Sequence, residues 1–457
     1  MKAVFRTLVS FVATLVIVAT LFGCASPPLT VAEAPLTIGE DFIFINSLHC
    51  NRDKSVAAMG YVGDPTAFGG MGIALHSNDL GLTWHRAELG AGAEKLDISL
   101  VELPGKNRDS REQLYASGYK RELSFSDDKR PGPWWTSTDG GRSWLQSSAL
   151  YPLPVSNLAE FTVYRGVLTI PLPQISVVDE QGTLLTIRGG TDSRSWVNTG
   201  KLSANSLLRS TDGGQNWTVV PSQNVSKLTT IVTNGRGHAV VAGSLGTAPR
   251  QTTNFVFWSD DSGATWTRAS LPNPLPEWQQ GLPVMRSVLL YGNPDHVVIG
   301  YSFASIYRSE DGGRTWQGPL TLQGEGNITA MTGDSKGRLV ALMASGAAMV
   351  SSDWGKTWER RQTGIQVSPQ EGMTGTDSML ISAGNGVIVG VRYSRFTRST
   401  DWGETWNTVD SQLPAKRYRL RIACTDGHGL IVVGGDWGML TRSVDWGATW
   451  QRAHLAE

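Results

Sequence analysis

After one long apolar run near its start, the chain breaks into short strand-like segments that recur in sets of three. Phe42 to His49, Ser55 to Val62 and Gly72 to Ser77 make one set. Lys227 to Thr233, Gly237 to Gly243 and Asn254 to Ser259 make another, and Arg419 to Cys424, His428 to Gly434 and Met439 to Ser443 a third. Each set runs into the octet Ser-x-Asp-x-Gly-x-Thr-Trp, after which a further strand opens, as at Thr265-Trp266 and over Thr449 to Leu455. The octet recurs eight times, beginning at Ser77, Ser137, Ser210, Ser259, Ser309, Ser351, Ser399 and Ser443, with Ser143 and Asn216 in two of the Thr places. The copies are spaced by roughly 42 to 73 residues, the length of one small sheet per repeat. Repetition of this kind implies units stacked on their neighbours with a continuous core between them. The expected fold is all-β: a single array over residues 40–457, eight units of four antiparallel strands each.

Within the octet each residue type has a local task. Asp in a tight turn accepts hydrogen bonds from backbone amides a residue or two ahead. The Gly two places on supplies the positive φ that such a turn needs. Ser and Thr hydroxyls satisfy remaining backbone groups, and the Trp buries its ring between adjacent sheets while its N–H seeks an acceptor.

These octets resemble the Asp-box, or BNR repeat, of β-propellers, a grouping that includes sialidases, xyloglucan hydrolases, sortilin-type receptors and the photosystem II assembly-factor propellers. The resemblance covers nearly the whole chain beyond the front segment. It implies a propeller in which the box joins the third and fourth strands of a blade and is structural, and the count of eight boxes makes the expected number of blades eight. By that resemblance Asp79, Asp139, Asp212, Asp261, Asp311, Asp353, Asp401 and Asp445 are supports of shape and not catalysts. The triplet Gly355-Lys356-Thr357 is similar to the end of a phosphate loop but lies inside a box and lacks the upstream glycine.

At the front, Lys2 and Arg6 precede an apolar run from Leu8 to Phe22 that ends in Leu21-Phe22-Gly23-Cys24. The pattern is that of an export signal, and at about 15 residues the run is short for a membrane span. Leu-x-Gly-Cys followed by Ala-Ser resembles a bacterial lipobox, which implies acylation of Cys24 after removal of residues 1–23; an ordinary soluble export signal is the alternative. Several acyl chains at about 0.8 kcal/mol per buried CH₂ would make the attachment effectively permanent. Ala25 is not the Asp that retains enteric-type lipoproteins at the inner membrane, so the resemblance implies the cell envelope, with the outer membrane favoured. Residues 24–39, rich in Pro and Ala, read as a flexible tether. Removing residues 1–23 takes away two basic residues, leaving 38 against 40 acidic ones. A near-neutral body lacks the basic excess of a nucleic-acid partner. No cofactor or metal motif appears: there is no zinc-type Cys pattern, Rossmann fingerprint or nucleophile elbow.

The repeats run in frame from first strand to last, so closure by one end completing the other end's sheet is not expected. Cys50 and Cys424, however, each end the first strand of their unit, one in the first unit and one in the last. A closed ring in an oxidising compartment brings them together, and a disulfide is expected. Two separate thiols, or a metal shared with His49 and His428, are the alternatives.

Antiparallel strands sort their connections by parity, so boxes and first-to-second turns share one face. The longer segments (63–70, 121–133, 173–205, 271–283 and 363–377) fall on the other, which becomes the candidate working surface. Strand ends arriving there bring Tyr119, Arg121, Tyr301, Arg392, Tyr393, Arg395, Asp436 and Trp437; starting strands bring Arg286, Arg417, Arg419 and Arg421. Arg with aromatic residues suits anionic groups or protein surfaces; the alternative is ordinary strand ends whose stems cover apolar surface. Trp354, Trp402 and Trp446, in the variable place of the last three boxes, either stack on sugars or pack against the adjoining unit.

The sialidase resemblance implies an Arg-Ile-Pro motif, three arginines and a Tyr-Glu nucleophile pair. No Arg-Ile-Pro occurs, and although Arg121, Arg286 and Arg392 mimic the clamp, no nucleophile pair is identifiable. The expectation is a non-enzymatic, lipid-anchored envelope scaffold that binds a protein or glycan. A glycan-active hydrolase or lyase is the alternative.

Overall fold

The computed structural model describes residues 37–38, 41–51, 53–63, 71–89, 96–102, 114–120, 134–147, 163–164, 167–168, 175–188, 206–211, 218–220, 227–248, 251–272, 288–291, 295–301, 304–322, 326–367, 378–413 and 420–456. Contacts divide the chain into Met1–Ala34 and Pro35–Glu457, and every described residue belongs to the second unit.

The described residues form strands and turns with no α-helix, and each octet sits in its own four-stranded antiparallel sheet of consecutive strands. Sheet one comprises Asp41–Cys50, Val56–Gly63, Met71–Ser77 and Thr83–Ala87; sheet two, Leu96–Glu102, Leu114–Lys120, Trp134–Ser137 and Leu145–Ser147. Sheet three comprises Ile175–Val177, Leu184–Arg188, Ser206–Ser210 and Thr218–Val220; sheet four, Lys227–Thr233, Ala239–Ala248, Gln251–Ser259 and Thr267–Ala269. Sheet five comprises Val288–Tyr291, Val297–Tyr301, Ser305–Ser309 and Gln317–Thr321; sheet six, Ile328–Gly333, Leu339–Met343, Ala348–Ser351 and Glu359–Arg361. Sheet seven comprises Ser378–Gly384, Val387–Arg392, Arg395–Ser399 and Asn407–Val409; sheet eight, Leu420–Thr425, Ile431–Gly435, Leu440–Ser443 and Gln451–Arg452. Every third strand ends on the Ser of its octet. A separate hairpin pairs Val163–Tyr164 with Val167–Leu168.

The second strands carry the core. Leu339–Met343 and Ile431–Gly435 are buried at every position, because each lies between two other sheets and packs with both faces. Apolar runs without polar alternation are the signature of strands covered on both sides. Val240 belongs to the cluster that joins sheets four and five, while its neighbour Val241 joins sheets three and four. Likewise Val432 packs toward sheet one and Val433 toward sheet seven. Core clusters thus link three to four, four to five, five to six, six to seven, seven to eight, eight to one and one to two. The result is a propeller-like all-β array.

Three expectations change. The final strand does not run continuously over Thr449 to Leu455. It breaks after Gln451–Arg452, and His454–Leu455 crosses to pair in parallel with the outer strand of sheet one, His454 opposite Thr83 and Leu455 opposite Trp84. His454 donates its N–H to the Leu82 carbonyl at 2.9 Å and Ala456 to that of Trp84 at 2.8 Å. One end does therefore add to the other end's sheet, a device the in-frame repeats concealed. Second, Thr37–Ile38 pairs with Asp41 and Phe42, so these residues join sheet one although the tether was expected to extend to residue 39. Third, residues 173–205 are not one long insertion, since Ile175–Val177 and Leu184–Arg188 are the first two strands of sheet three.

Candidate functional site

The octets are closed hydrogen-bond circuits. In the seven whose Asp is described, the Ser Oγ donates to Asp Oδ1 at 2.7–2.8 Å and accepts the N–H of the octet Gly at 2.7–2.9 Å. Asp Oδ1 also accepts the backbone N–H four residues on, at 2.8–3.0 Å. In six of them the hydroxyl of that residue donates to Oδ2 at 2.5–2.6 Å. The Asp thus reaches further than the one or two residues expected. The reason is the backbone: two successive residues, such as Trp446 and Gly447, hold φ of 62° and 78° and fold the turn back over the carboxylate. The Trp Nε1 finds its acceptor within its own octet, on the Gly carbonyl at 2.7–3.1 Å. Asp212 lies outside the described residues.

Burial pushes these carboxyls up, but the hydroxyl and amide donors outweigh it. Asp79, Asp139, Asp261, Asp311, Asp353, Asp401 and Asp445 all sit below the usual aspartate value. Each is an ionised acceptor surrounded by its own donors, a poor arrangement for moving protons.

The octet also fastens its sheet to the neighbours. The residue before the octet Gly donates its N–H to the glycine that ends the first-to-second turn of the same sheet: Ser262 to Gly237, Trp354 to Gly337, Trp402 to Gly386 and Trp446 to Gly429, at 2.9–3.0 Å. This confirms that octets and first turns share a face. The carbonyl of that same residue takes a donor from the preceding sheet. Arg209 Nε reaches Ser262 at 2.8 Å, Arg398 Nε reaches Trp446 at 2.6 Å, Arg442 Nη1 reaches Leu80 at 3.2 Å and Asn51 Nδ2 reaches Gly140 at 3.1 Å. His238 Nε2 lies 2.7 Å from the Gly312 carbonyl in the same relation. A second ladder joins position two of one octet to position six of the next: Asn78 with Arg142, Asp260 with Arg314, Glu310 with Lys356. Sequence reasoning missed both ladders; comparing positions two and six of successive octets would have exposed the two acid–base pairs of the second, Asp260 with Arg314 and Glu310 with Lys356.

The three variable-position tryptophans pack. Trp354 stacks on His296 of sheet five at 4.6 Å, and Arg338 of sheet six lies over Trp402 at 4.3 Å. Trp446 joins the core cluster of sheets seven and eight.

Of the twelve residues expected on the opposite face, five are described with their side chains. Arg121, Arg286, Arg417 and Arg419 lie outside the described residues; Tyr119 and Tyr301 are placed only as strand positions opposite Asp97 and Ser305, and Arg421 only as a position in the strand Leu420–Thr425. Arg392 is corrected from a surface group to an inter-sheet contact: it is fully buried and its Nη1 donates to the Ala344 carbonyl of sheet six at 2.8 Å. The next residues reach the surface. Tyr393 is half-buried with φ of 54°, and exposed Arg395 donates to the Gln366 carbonyl at 2.5 Å. Asp436 and Trp437, both half-buried, form the second-to-third turn of sheet eight, with Trp437 at φ 62°. That turn is seated on sheet one: Gly438 donates to the Ile43 carbonyl at 2.6 Å, and the Trp437 ring lies 5.8 Å from Phe44, which stacks on Tyr61 at 4.7 Å. The structure brings Tyr393 together with Arg395, and Asp436 with Trp437, in two turns on adjoining sheets.

Cys50 and Cys424 are bonded, with Cα atoms 5.5 Å apart. The disulfide expectation holds, and it removes the thiols that a metal shared with His49 and His428 would require. Among the described residues no three His, Cys, Asp or Glu side chains are placed to hold a metal ion.

No protein-family model matches the chain. It is 25% identical over 262 residues to a xyloglucanase from Paenibacillus sp., a match over 54% of this chain. The chain spans only 23% of that relative's length. Among solved structures it is similar to YCF48 bound to D1 peptide (17% identity, 76% of this chain and 96% of that one, TM-score 0.44). It is similar also to an inactive virginiamycin B lyase from Staphylococcus aureus (12% identity, 76% and 99%, TM-score 0.44).

Proposed function

We propose that the chain is a closed, eight-bladed Asp-box propeller, held in the cell envelope by an acylated Cys24. In this reading it serves as a non-enzymatic scaffold that binds an envelope protein or glycan on the face opposite the octets. The observation that carries the reading is the occupation of the octet carboxylates. Each of the seven described is engaged by the hydroxyls and amides of its own turn, as at Asp401 with Ser399 and Thr405. Recognition is thereby left to the other face, where Tyr393 with Arg395 and Asp436 with Trp437 supply charge and aromatic surface.

Crosslinked recovery of partners from intact envelopes tests this. Arg395→Ala and Trp437→Ala, each at unchanged melting temperature, should abolish recovery. Undiminished recovery with both would remove that face from the proposal. Cys24→Ser should release the protein from membranes and prevent incorporation of a labelled fatty acid; continued membrane attachment would defeat the anchor.

A second reading, a glycan-active hydrolase, is favoured by the resemblance to the Paenibacillus xyloglucanase. Release of reducing ends from xyloglucan by the purified chain would select it over the scaffold.

A further inference from the structure

Among the described residues His238 is the one buried histidine, and both of its ring nitrogens face oxygen. Nδ1 lies 2.6 Å from Asp260 Oδ1, and Nε2 lies 2.7 Å from the Gly312 carbonyl in the octet of sheet five. The carbonyl has no proton to give. Neither has Asp260: both its oxygens accept Arg314 Nη2 at 2.8 Å, and although burial pushes its carboxyl up, the His238 and Arg314 donors hold it below the usual aspartate value. A neutral imidazole carries a single N–H, so it satisfies one of these acceptors and turns a lone pair on the other; the imidazolium satisfies both. The backbone that carries the ring is held in place. The His238 N–H donates to Asn234 Oδ1 at 3.1 Å, and the Gly237 N–H reaches the Val178 carbonyl beside sheet three at 2.7 Å.

At other junctions the same octet carbonyl is taken by Arg209, Arg398 or Arg442, and at the junction of sheets one and two by Asn51. None of those side chains changes its protonation where imidazole titrates. The charges around the His238–Asp260 pair are few. Asp295 and Asp311 of sheet five act on the Arg314 guanidinium, and Arg236 is exposed in the turn that carries His238. Asp179 is engaged by Ser262 and Thr183, Asp261 by Ser259 and Thr265, and His296 stacks on Trp354.

We propose that His238 is a pH-operated clasp between sheets four and five, closed while its ring carries two protons and loosened when it loses one. A proton whose binding is favoured by folded contacts adds stability on the acid side, and that stability is lost as pH rises. The junction of sheets four and five therefore responds to the pH around the protein, while the junctions fastened by arginine do not.

Peptide-resolved hydrogen exchange on the full chain, corrected for the intrinsic pH dependence of exchange, reads the clasp directly. Between about pH 5.5 and pH 8.5, the span in which imidazole titrates, protection across residues 234–238 and 310–316 should fall about tenfold, the worth of one charged hydrogen bond. Protection across residues 443–450, the octet fastened by Arg398, should stay constant over the same span. His238→Gln cannot take up a second proton, and should show the lower protection at every pH. Nitrogen-15 resonances of the labelled histidine rings in the unaltered chain give a readout that needs no variant. The buried ring, known by its slowly exchanging N–H protons, should carry two of them at the acid end of the range. Equal changes at both junctions, no change at either, or a single ring proton on His238 throughout would overturn the clasp.

Discussion

Arg442 of sheet eight donates through Nη1 to the backbone carbonyl of Asp79 in the first octet at 2.7 Å, although the two residues are 363 positions apart. Arg398 makes the corresponding reach from sheet seven to sheet eight, and Arg209 from sheet three to sheet four. The junction between the last sheet and the first is therefore built like any internal junction. Packing repeats the relation: in six of the octets the glycine lies on the second strand of the sheet before, as Gly447 on Val389, Gly403 on Val340 and Gly81 on Val432.

The junction of sheets one and eight should dominate stability. Reducing or replacing the Cys50–Cys424 bond is expected to cost about 2–4 kcal/mol. Arg442→Ala, which leaves the Asp79 and Leu80 carbonyls without their donor, is expected to cost about 1–3 kcal/mol. Because both act on one seam, the double variant should depart from additivity. Urea denaturation of the single and double variants checks this; strict additivity would show that the two ties act independently.

Asp401→Ala removes the acceptor for Ser399 Oγ, Thr405 N–H and Thr405 Oγ. A loss of about 1–3 kcal/mol is expected, with partner recovery intact at temperatures where the variant is folded. Asp401→Asn retains one acceptor oxygen and should lose less. Selective loss of binding at full stability would instead assign the octets a direct functional role.

The acid limit follows from the same carboxylates. Their folded pKa values lie below the unfolded value of about 3.9, because hydroxyl and amide donors overcome the opposing effect of burial. Such groups contribute stability that is present above the unfolded pKa and is lost as pH falls through the folded values. Stability should therefore change little through these aspartates above about pH 5 and decline steeply below about pH 4. Denaturant midpoints measured between pH 7 and pH 2.5 check the direction; a rise in midpoint on acidification would contradict it.

Two glycines separate backbone strain from steric fit. Gly447 has φ of 78°, and a Cβ there would approach Val389 Cγ2 at 2.7 Å; Gly427 has φ of 71° and open space around it. Gly427→Ala should cost only the left-handed penalty of about 1–2 kcal/mol. Gly447→Ala should cost a further 1–3 kcal/mol or so from overpacking. Thermal melts that rank the two variants equally would show that sheet seven yields to the added carbon.

Much of the fold was legible because the octet is a local code: one carboxylate, two hydroxyls and a glycine close on themselves without help from distant residues. The Cys50–Cys424 bond was legible for a different reason, as both cysteines occupy equivalent positions in the first and last repeats. What depends on neighbours was not. Arg392 follows Val391 at a strand end like any surface arginine, and only the approach of the Ala344 carbonyl from sheet six draws it inward. The crossing at His454 was hidden because Gln451 to Leu455 carries the same strand pattern whether it stays on sheet eight or leaves it. The first two strands of sheet three were obscured by the length of the segment in which they lie.

The parallel pairing of His454–Leu455 with Thr83–Trp84 sets a kinetic order. Among the described residues six junctions form between sheets adjacent in sequence, but this one requires segments 371 residues apart to meet. Loop-closure entropy of that scale is met before any contact rewards it, and contacts of high sequence separation slow folding. The outer edge of sheet one should consequently remain bare until the rest of the array has formed, making it the part of the molecule most in need of a chaperone while it waits.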